Sequence, residues 1–291
     1  MLVRLTACSF VLLLGACGPL DDPVPGPPSG TGRAGSASGG QIYEATGTVL
    51  ESRDHGPELC VGVVLDSLPP QCDGVPLDDW DWDGVGDEES RAGTTWGSYH
   101  VTGFFEGERF GVVGVGPPHD EGNEAGDPIG TPCPEPEGGW TPSDPDRWSH
   151  DDLSATARVA RRDPAYSGLW VEYIKEFDEE SDVDPTDIIL TVAFTDDPQS
   201  HEGELRETWG GPLCLVQHER TYDELREIQN EGLADIASEW ELEIVWSDVN
   251  VVKGVVEAGV VVIDDETREE IDASFGEETI RFFPEFLPVD G

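Results

Sequence analysis

A stretch of alternating acidic residues, Asp79–Asp87, is the part of this chain whose residue types and spacing best fit a chemical task. Calcium prefers several carboxylate oxygens, and a glycine among them permits the tight turn that wraps the ion. The spacing matches the first half of an EF-hand loop, but Ser90 stands where that loop needs a bidentate glutamate, and Glu89 lies one place early. The candidate calcium ligands are Asp79, Asp81, Asp83 and Asp87.

Tryptophans occupy the places between these acids, which is unusual for a solvated loop. Trp80 and Trp82 alternating with aspartates are typical of a strand with aromatic rings on the core face and carboxylates outside. We favour this structural interpretation and keep calcium as the alternative. Three other tryptophans lie in surroundings rich in glycine and proline and are candidates for exposed contacts: Trp96, Trp140 and Trp148.

Catalytic motifs are missing from the sequence. Residues 35–39 have Ala37 where a nucleophile elbow needs serine, and His201-Glu202 is not followed by a second histidine one turn later. No Walker loop or dinucleotide fingerprint is present. We therefore name no catalytic residue and no cofactor other than calcium. A cell-envelope hydrolase without a recognisable motif stays an alternative, because spacing along a chain does not reveal a carboxylate pair in space.

The N-terminal residues carry the pattern of an exported lipoprotein. A cationic start, Met1 and Arg4, precedes an apolar run from Leu5 to Leu14, which is typical of a secretory signal. Small residues then precede Cys17, the position that is lipidated in lipoprotein signals. We predict a signal peptide over 1–16, lipidation of Cys17 and a flexible tether over 17–40. This predicts an exported protein held by lipid to the cell membrane, at the cell surface or in the periplasm.

Four cysteines remain after Cys8, in the signal peptide, and Cys17 are set aside, an even number for an oxidising compartment. They allow three pairings, of which we favour the one that joins the two cysteines close in sequence. Zinc is a weaker alternative, because no Cys-x-x-Cys spacing and no nearby histidine pair is present. The favoured disulfides are Cys60–Cys72 and Cys133–Cys214.

Acidic residues dominate the charge of this chain. Sixteen lysines and arginines against 62 aspartates and glutamates give a formal net charge of −46. Such a surface repels phosphate backbones, so we exclude nucleic acid as a partner. It also repels anionic headgroups, so we expect membrane attachment to come from the acyl chains on Cys17 and not from a polybasic patch. We interpret the charge mainly as a source of solubility, with attraction of cations or a basic partner as the alternative.

The pattern of apolar residues predicts an α+β protein. Short β-branched and aromatic runs between turn residues fill 41–118, which predicts a small β-barrel or sandwich, with an OB-like barrel as one form. Residues 119–149 are a connector rich in proline and glycine. Strands and amphipathic helices interleave over 150–291, which predicts a two-layer α/β sandwich domain.

Local signals place several elements within this frame. Ser149 with Asp152 predicts a helix start, and so does the capping box of Thr221 with Glu224. A helix from about Glu266 is expected to end at Gly276. Residues 106–108 predict a hairpin turn between two strands.

Several short motifs stand out along the chain: Glu58–Gly62, Pro69–Cys72, Trp80–Trp82, Gly93–Gly97, Tyr99–Gly103, Thr131–Trp140 and Gly211–Cys214. Together they resemble a family of uncharacterised exported lipoproteins from GC-rich bacteria. The resemblance covers most of residues 45–289 and implies no established activity, cofactor or catalytic residue.

These observations favour a lipid-anchored, exported binding or protein-interaction module without catalytic activity. Its partners would be the membrane, through the lipid on Cys17, and a protein or cell-envelope component of unknown identity. The first alternative is calcium-dependent adhesion or a calcium-stabilised surface protein that uses Asp79–Asp87, and the second is the cell-envelope hydrolase.

Overall fold

Three β-sheets and five short α-helices make up the part of the chain that the structure, a computed structural model, describes. That part is residues 40–119, 131–174 and 185–289, all within one compact unit of residues 32–291. The protein is therefore of the mixed α+β class, as expected. The signal peptide, Cys17, the tether before residue 40 and part of the connector lie outside the described residues.

The largest sheet has seven strands and takes its last strand from the end of the chain. Its order is β13-β1-β2-β3-β6-β5-β4, and β1 also pairs with β5 along its whole length. Among the described strands of this sheet, only β3 and β6 pair in parallel. The strands are β1 (Tyr43–Glu51), β2 (Glu58–Cys60), β3 (Gly74–Asp78), β4 (Glu89–Arg91), β5 (Thr94–Glu106), β6 (Arg109–Gly116) and β13 (Leu287–Pro288).

The alternation of buried and more exposed residues explains why these segments form strands around a core. In β5 the buried side chains recur at every second position, at Tyr99 and Val101 among others, because successive residues of a strand point to opposite faces. Gly107, with a φ of 68°, makes the turn to β6 that residues 106–108 predict. The core beneath the sheet also contains Val261 and Phe286, which come from the far end of the chain.

Two three-stranded sheets follow, and each combines an antiparallel with a parallel pairing. The strand Ile188–Phe194, at the centre of one of these sheets, is buried at all seven positions, as expected for a strand covered on both faces. The second sheet has the order β7-β8-β9 and the third β10-β11-β12. Their strands are β7 (Tyr166–Tyr173), β8 (Ile188–Phe194), β9 (Leu213–Gln217), β10 (Ile244–Asn250), β11 (Val255–Val260) and β12 (Ile280–Pro284).

Helices pack on these two sheets and begin where the capping signals predict. The Ser149 hydroxyl accepts from the Asp152 amide in a complete capping box, and Thr221 with Glu224 forms a second one. Gly276, with a φ of 100°, ends the last helix as expected. The helices are α1 (His150–Ala160), α2 (Glu202–Arg206), α3 (Tyr222–Glu227), α4 (Leu233–Glu239) and α5 (Asp265–Phe275), with a π-helical turn at Ile228–Gly232 between α3 and α4.

The helices that pack on each of these two sheets help to bury a separate hydrophobic core. Leu205 and Trp209, on and just after α2, are fully buried with Phe194 of β8. Ile236 of α4 and Ile271 of α5 are fully buried against β10, β11 and β12. The domain boundaries given above stay a prediction.

Candidate functional site

The acidic motif forms a loop with a short 3₁₀ turn and not the favoured strand. Strand β3 ends at Asp78, because Asp79 adopts a positive φ of 61° that a strand does not tolerate. The Asp81 carboxylate accepts a hydrogen bond from the Asp83 amide and so starts a 3₁₀ helix over Trp82–Gly84. The strand interpretation was therefore wrong, because capping by Asp81 competes with strand pairing.

Aromatic packing, by contrast, follows the expectation for this motif. Trp80 and Trp82 pack edge-to-face on each other and on Tyr99 of β5, with ring centroids 5.1–6.2 Å apart. The indole N–H of Trp82 donates to the Glu51 carboxylate, and the Tyr99 hydroxyl donates to the Gly86 carbonyl at 2.9 Å. These contacts fix the acidic loop against the largest sheet.

An open cleft of about 580 Å³ lies between this loop and the ends of β5 and β6. Residues Gly84–Asp87 of the loop and Glu89 of β4 line it together with residues from the start of β5 and the end of β6. Trp96, a predicted contact residue, is half-buried in the wall, whereas Trp148 packs on the core near α1. Among the lining residues are Asp87, Glu89, Trp96, Tyr99, Val115 and Pro117.

Negative charge collects at this cleft. Burial raises the pKa of Tyr99, and the charges of Glu88 and Asp87 raise it further, so the phenol stays neutral at physiological pH. Asp87 and Glu89 are exposed, and both line the cleft. Carboxylates beside aromatic rings suit a ligand with a positively charged group. Neither Tyr99 nor Val115 carries a sequence signal for this role, because each looks like an ordinary strand residue.

The candidate calcium ligands do not converge on one point. Over residues 40–119, 131–174 and 185–289 the structure contains no group of three or more histidine, cysteine, aspartate or glutamate side chains that could hold a metal ion. Asp81 already accepts a backbone hydrogen bond at 3.0 Å. Calcium binding by Asp79, Asp81, Asp83 and Asp87 stays a prediction.

Both favoured cysteine pairs lie at disulfide distance. The sulfurs of Cys60 and Cys72 join the end of β2 to the residues before β3. Those of Cys133 and Cys214 join the connector to β9 across 81 residues of sequence. The crosslinks hold two irregular segments against sheets that position them.

Two histidines have polar partners that sequence spacing could not reveal. His201 lies between Asp163 and Asp196, with ring nitrogens 2.9 Å and 2.6 Å from their carboxylates, and its ring stacks on Phe194. His218 has its Nδ1 3.0 Å from the Ser167 hydroxyl. Asp196 is five residues from His201, but Asp163 and Ser167 lie much farther along the chain from their histidines. Only the fold brings those two pairs together.

The pair of Ser167 and His218 does not fit a catalytic nucleophile. Ser167 is completely buried, and its hydroxyl donates to the Arg220 carbonyl at 2.6 Å, so its proton is not directed at the imidazole. Burial lowers the pKa of His218, although a backbone hydrogen bond with Val252 acts the other way. We interpret the pair as a structural contact between β7 and the residues after β9.

No protein-family model matches the chain, and the search of curated proteins finds no match. None of the helices within the described ranges is long and apolar enough to span a membrane.

Proposed function

We propose that this chain is a lipid-anchored, exported binding module without catalytic activity, and that the cleft beside Asp79–Asp87 is its binding site. The observation that carries the proposal is the open cleft of about 580 Å³, whose lining combines Trp96 and Tyr99 with the acidic residues Asp87 and Glu89. Binding sites are typically concave, mostly apolar and marked by a few placed polar groups. The cleft has this character.

The ligand would present a cationic group, such as an arginine or lysine side chain of a basic protein segment. Trp96 in the lining would supply an aromatic ring for a cation–π contact, while Asp87 and Glu89 would supply opposite charge. The net charge of −46 would draw such a partner in from solution. Nucleic acid is disfavoured by the same field.

The fold behind this site would be a small OB-like barrel. Strands β1, β2, β3, β6 and β5 pair in that order, and β5 pairs back onto β1, which supports a closed ring. The parallel pairing of β3 with β6 fits a five-stranded Greek-key barrel. The two remaining sheets with their helices would form the two-layer α/β part. A fold of this kind does not by itself fix the ligand.

Anchoring is the second part of the proposal. Acylation of Cys17 with more than one chain would give stable attachment, since one chain binds membranes only weakly. Metabolic labelling with a palmitate analogue is expected to mark the native chain and leave Cys17→Ser unmarked. An unlabelled, cytosolic native protein would contradict the anchor.

Calorimetry with an arginine-rich peptide as probe tests the cleft. We expect wild-type binding that weakens about tenfold in Trp96→Ala and in the double variant Asp87→Asn/Glu89→Gln. The charge-matched control Glu266→Gln/Glu269→Gln changes two exposed carboxylates on α5 and is expected to bind normally. Melting temperatures of all variants verify that each is folded.

Two outcomes would overturn the cleft as the site. One is an equal loss of peptide affinity in the α5 control, which would mean that the peptide is attracted only by the overall charge. The other is turnover of a cell-envelope polymer that Asp87→Asn or Glu89→Gln abolishes, which would favour the hydrolase instead.

A further inference from the structure

The loop between β2 and β3 exposes four aliphatic side chains in a run of six residues. A soluble surface tolerates scattered apolar residues, but a contiguous exposed group marks an interaction surface. All four belong to residues 61–73, which we call the apolar loop. Their exposed fractions are 68% for Val63, 40% for Val64, 55% for Leu65 and 61% for Leu68.

The apolar loop is held in shape, so its exposure is built into the fold. The Cys60–Cys72 bond closes its base, and the Leu65 amide donates to the Gln71 carbonyl at 2.8 Å across it. Ser67 at the tip donates to the Pro69 carbonyl. At the base, the Gly62 amide donates to the Glu285 carboxylate, which ties the loop to the end of β12. The aliphatic tip is therefore presented on a fixed support.

The strand that leads into the apolar loop points towards the end of the sheet at which β1 begins. Strand β2 runs antiparallel to β1 with Val49 opposite Leu59, so the chain beyond Cys60 returns towards the level of Tyr43. Residues 1–39 precede that point and hold the predicted lipid site at Cys17. At the same end, Ile42 is 46% exposed and Leu287, which neighbours β1, is 44% exposed.

We propose that the apolar loop inserts its tip into the surface of a lipid bilayer, and so holds the folded part against the membrane that carries the anchor. Its place in the cell rests on the proposed anchoring, but the insertion itself does not need the acyl chains. A second copy of the chain is a poor occupant, because two surfaces of charge −46 repel each other. Asp66 and Asp73, both exposed in the loop, favour uncharged over anionic headgroups.

Vesicle flotation with the chain from residue 17 onwards carrying Cys17→Ser tests the insertion without any lipid on the protein and without the apolar run of the predicted signal peptide. We expect binding to phosphatidylcholine vesicles that Val63→Asp weakens about tenfold or more, since an aliphatic contact is replaced by a charge. Val113→Asp is the matched control, because Val113 is also a valine, 60% exposed, on β6. That control is expected to bind within about twofold of the parent. Adding phosphatidylglycerol to the vesicles should weaken binding.

The result that would overturn the insertion is either no binding to phosphatidylcholine or an equal loss in Val63→Asp and Val113→Asp. Leu68→Asp, at the other side of the tip, replaces Val63→Asp if that variant melts at a lower temperature than the parent. Trp96→Ala is expected to leave flotation unchanged, which separates this inference from the cleft. Failure of palmitate labelling would remove the anchor and leave the flotation result standing.

Discussion

At the scale of single residues, His201 is the group whose chemistry depends most on its neighbours. Burial alone would lower its pKa, but the hydrogen bond to Asp196 and the charges of Asp163 and Asp196 outweigh burial and raise it. The imidazolium is thus favoured in the folded protein. Its contribution to stability is full below the ordinary pKa of 6.5 and is lost as the pH rises through the raised value.

We expect His201→Gln to lower the melting temperature more at pH 5.5 than at pH 9, since only the protonated ring gains from both carboxylates. Thermal unfolding followed by circular dichroism across this pH range measures the difference. Asp196→Asn should flatten the same dependence, while Asp235→Asn, at an exposed position on α4, should preserve it. A uniform effect of His201→Gln at all pH values would contradict the ion-pair interpretation.

At the scale of elements, helix α3 shows how two residues close in sequence stabilise the start of a helix. Thr221 and Glu224 satisfy each other's backbone amides, at 2.8 Å and 3.2 Å. The hydrogen bond from the Thr221 amide is the main reason that the pKa of Glu224 is lowered. The carboxylate therefore stabilises the fold above the ordinary value of 4.5, and this contribution is lost as the pH falls through the lowered value.

Glu224→Ala is expected to lower the free energy of unfolding by about 1 kcal/mol at pH 7, since it removes one half of a capping box. Chemical denaturation gives the free energy of unfolding, and the cost should shrink below pH 4. Glu227→Ala changes an exposed glutamate on the same helix outside the cap and is expected to cost much less. Equal losses in the two variants would contradict the role of the cap.

The helices, turns and strands also show which local sequence patterns predict structure correctly and which do not. Both capping boxes, the turn at residues 106–108 and the helix end at Gly276 are confirmed, because each depends on residues within one turn of each other. The strand expected at Trp80–Trp82 is wrong, although its alternation is clear. There the Asp81 carboxylate accepts a hydrogen bond from the Asp83 amide, which favours a turn over strand pairing. The tryptophans therefore pack on the core from a loop.

At the scale of the whole molecule, the net charge of −46 determines how the stability of the folded state responds to salt. Folding concentrates this charge, so repulsion opposes the compact state. From about 0.01 M to 1 M salt the Debye length falls from about 30 Å to about 3 Å.

We expect the melting temperature to rise by at least about 3 °C over this range of sodium chloride, which corresponds to about 1 kcal/mol. Differential scanning calorimetry measures the rise, and a constant melting temperature would contradict it. Calcium chloride at equal ionic strength serves as the control for the sequence-predicted calcium site. Only a calcium-specific rise that Asp81→Asn removes would support that alternative.

The sequence by itself determined the charge, the α+β class and the starts and ends of helices, since these follow from composition or from residues close along the chain. Only the tertiary structure decided the parallel pairing of β3 with β6, the partners of His201 and the cleft at Trp96 and Tyr99. Each of those features includes residues that are far apart in sequence, such as Asp163 with His201 or Tyr99 with Val115. Their contacts exist only when the whole chain is folded, because periodicity specifies which face of an element is apolar but not what it meets.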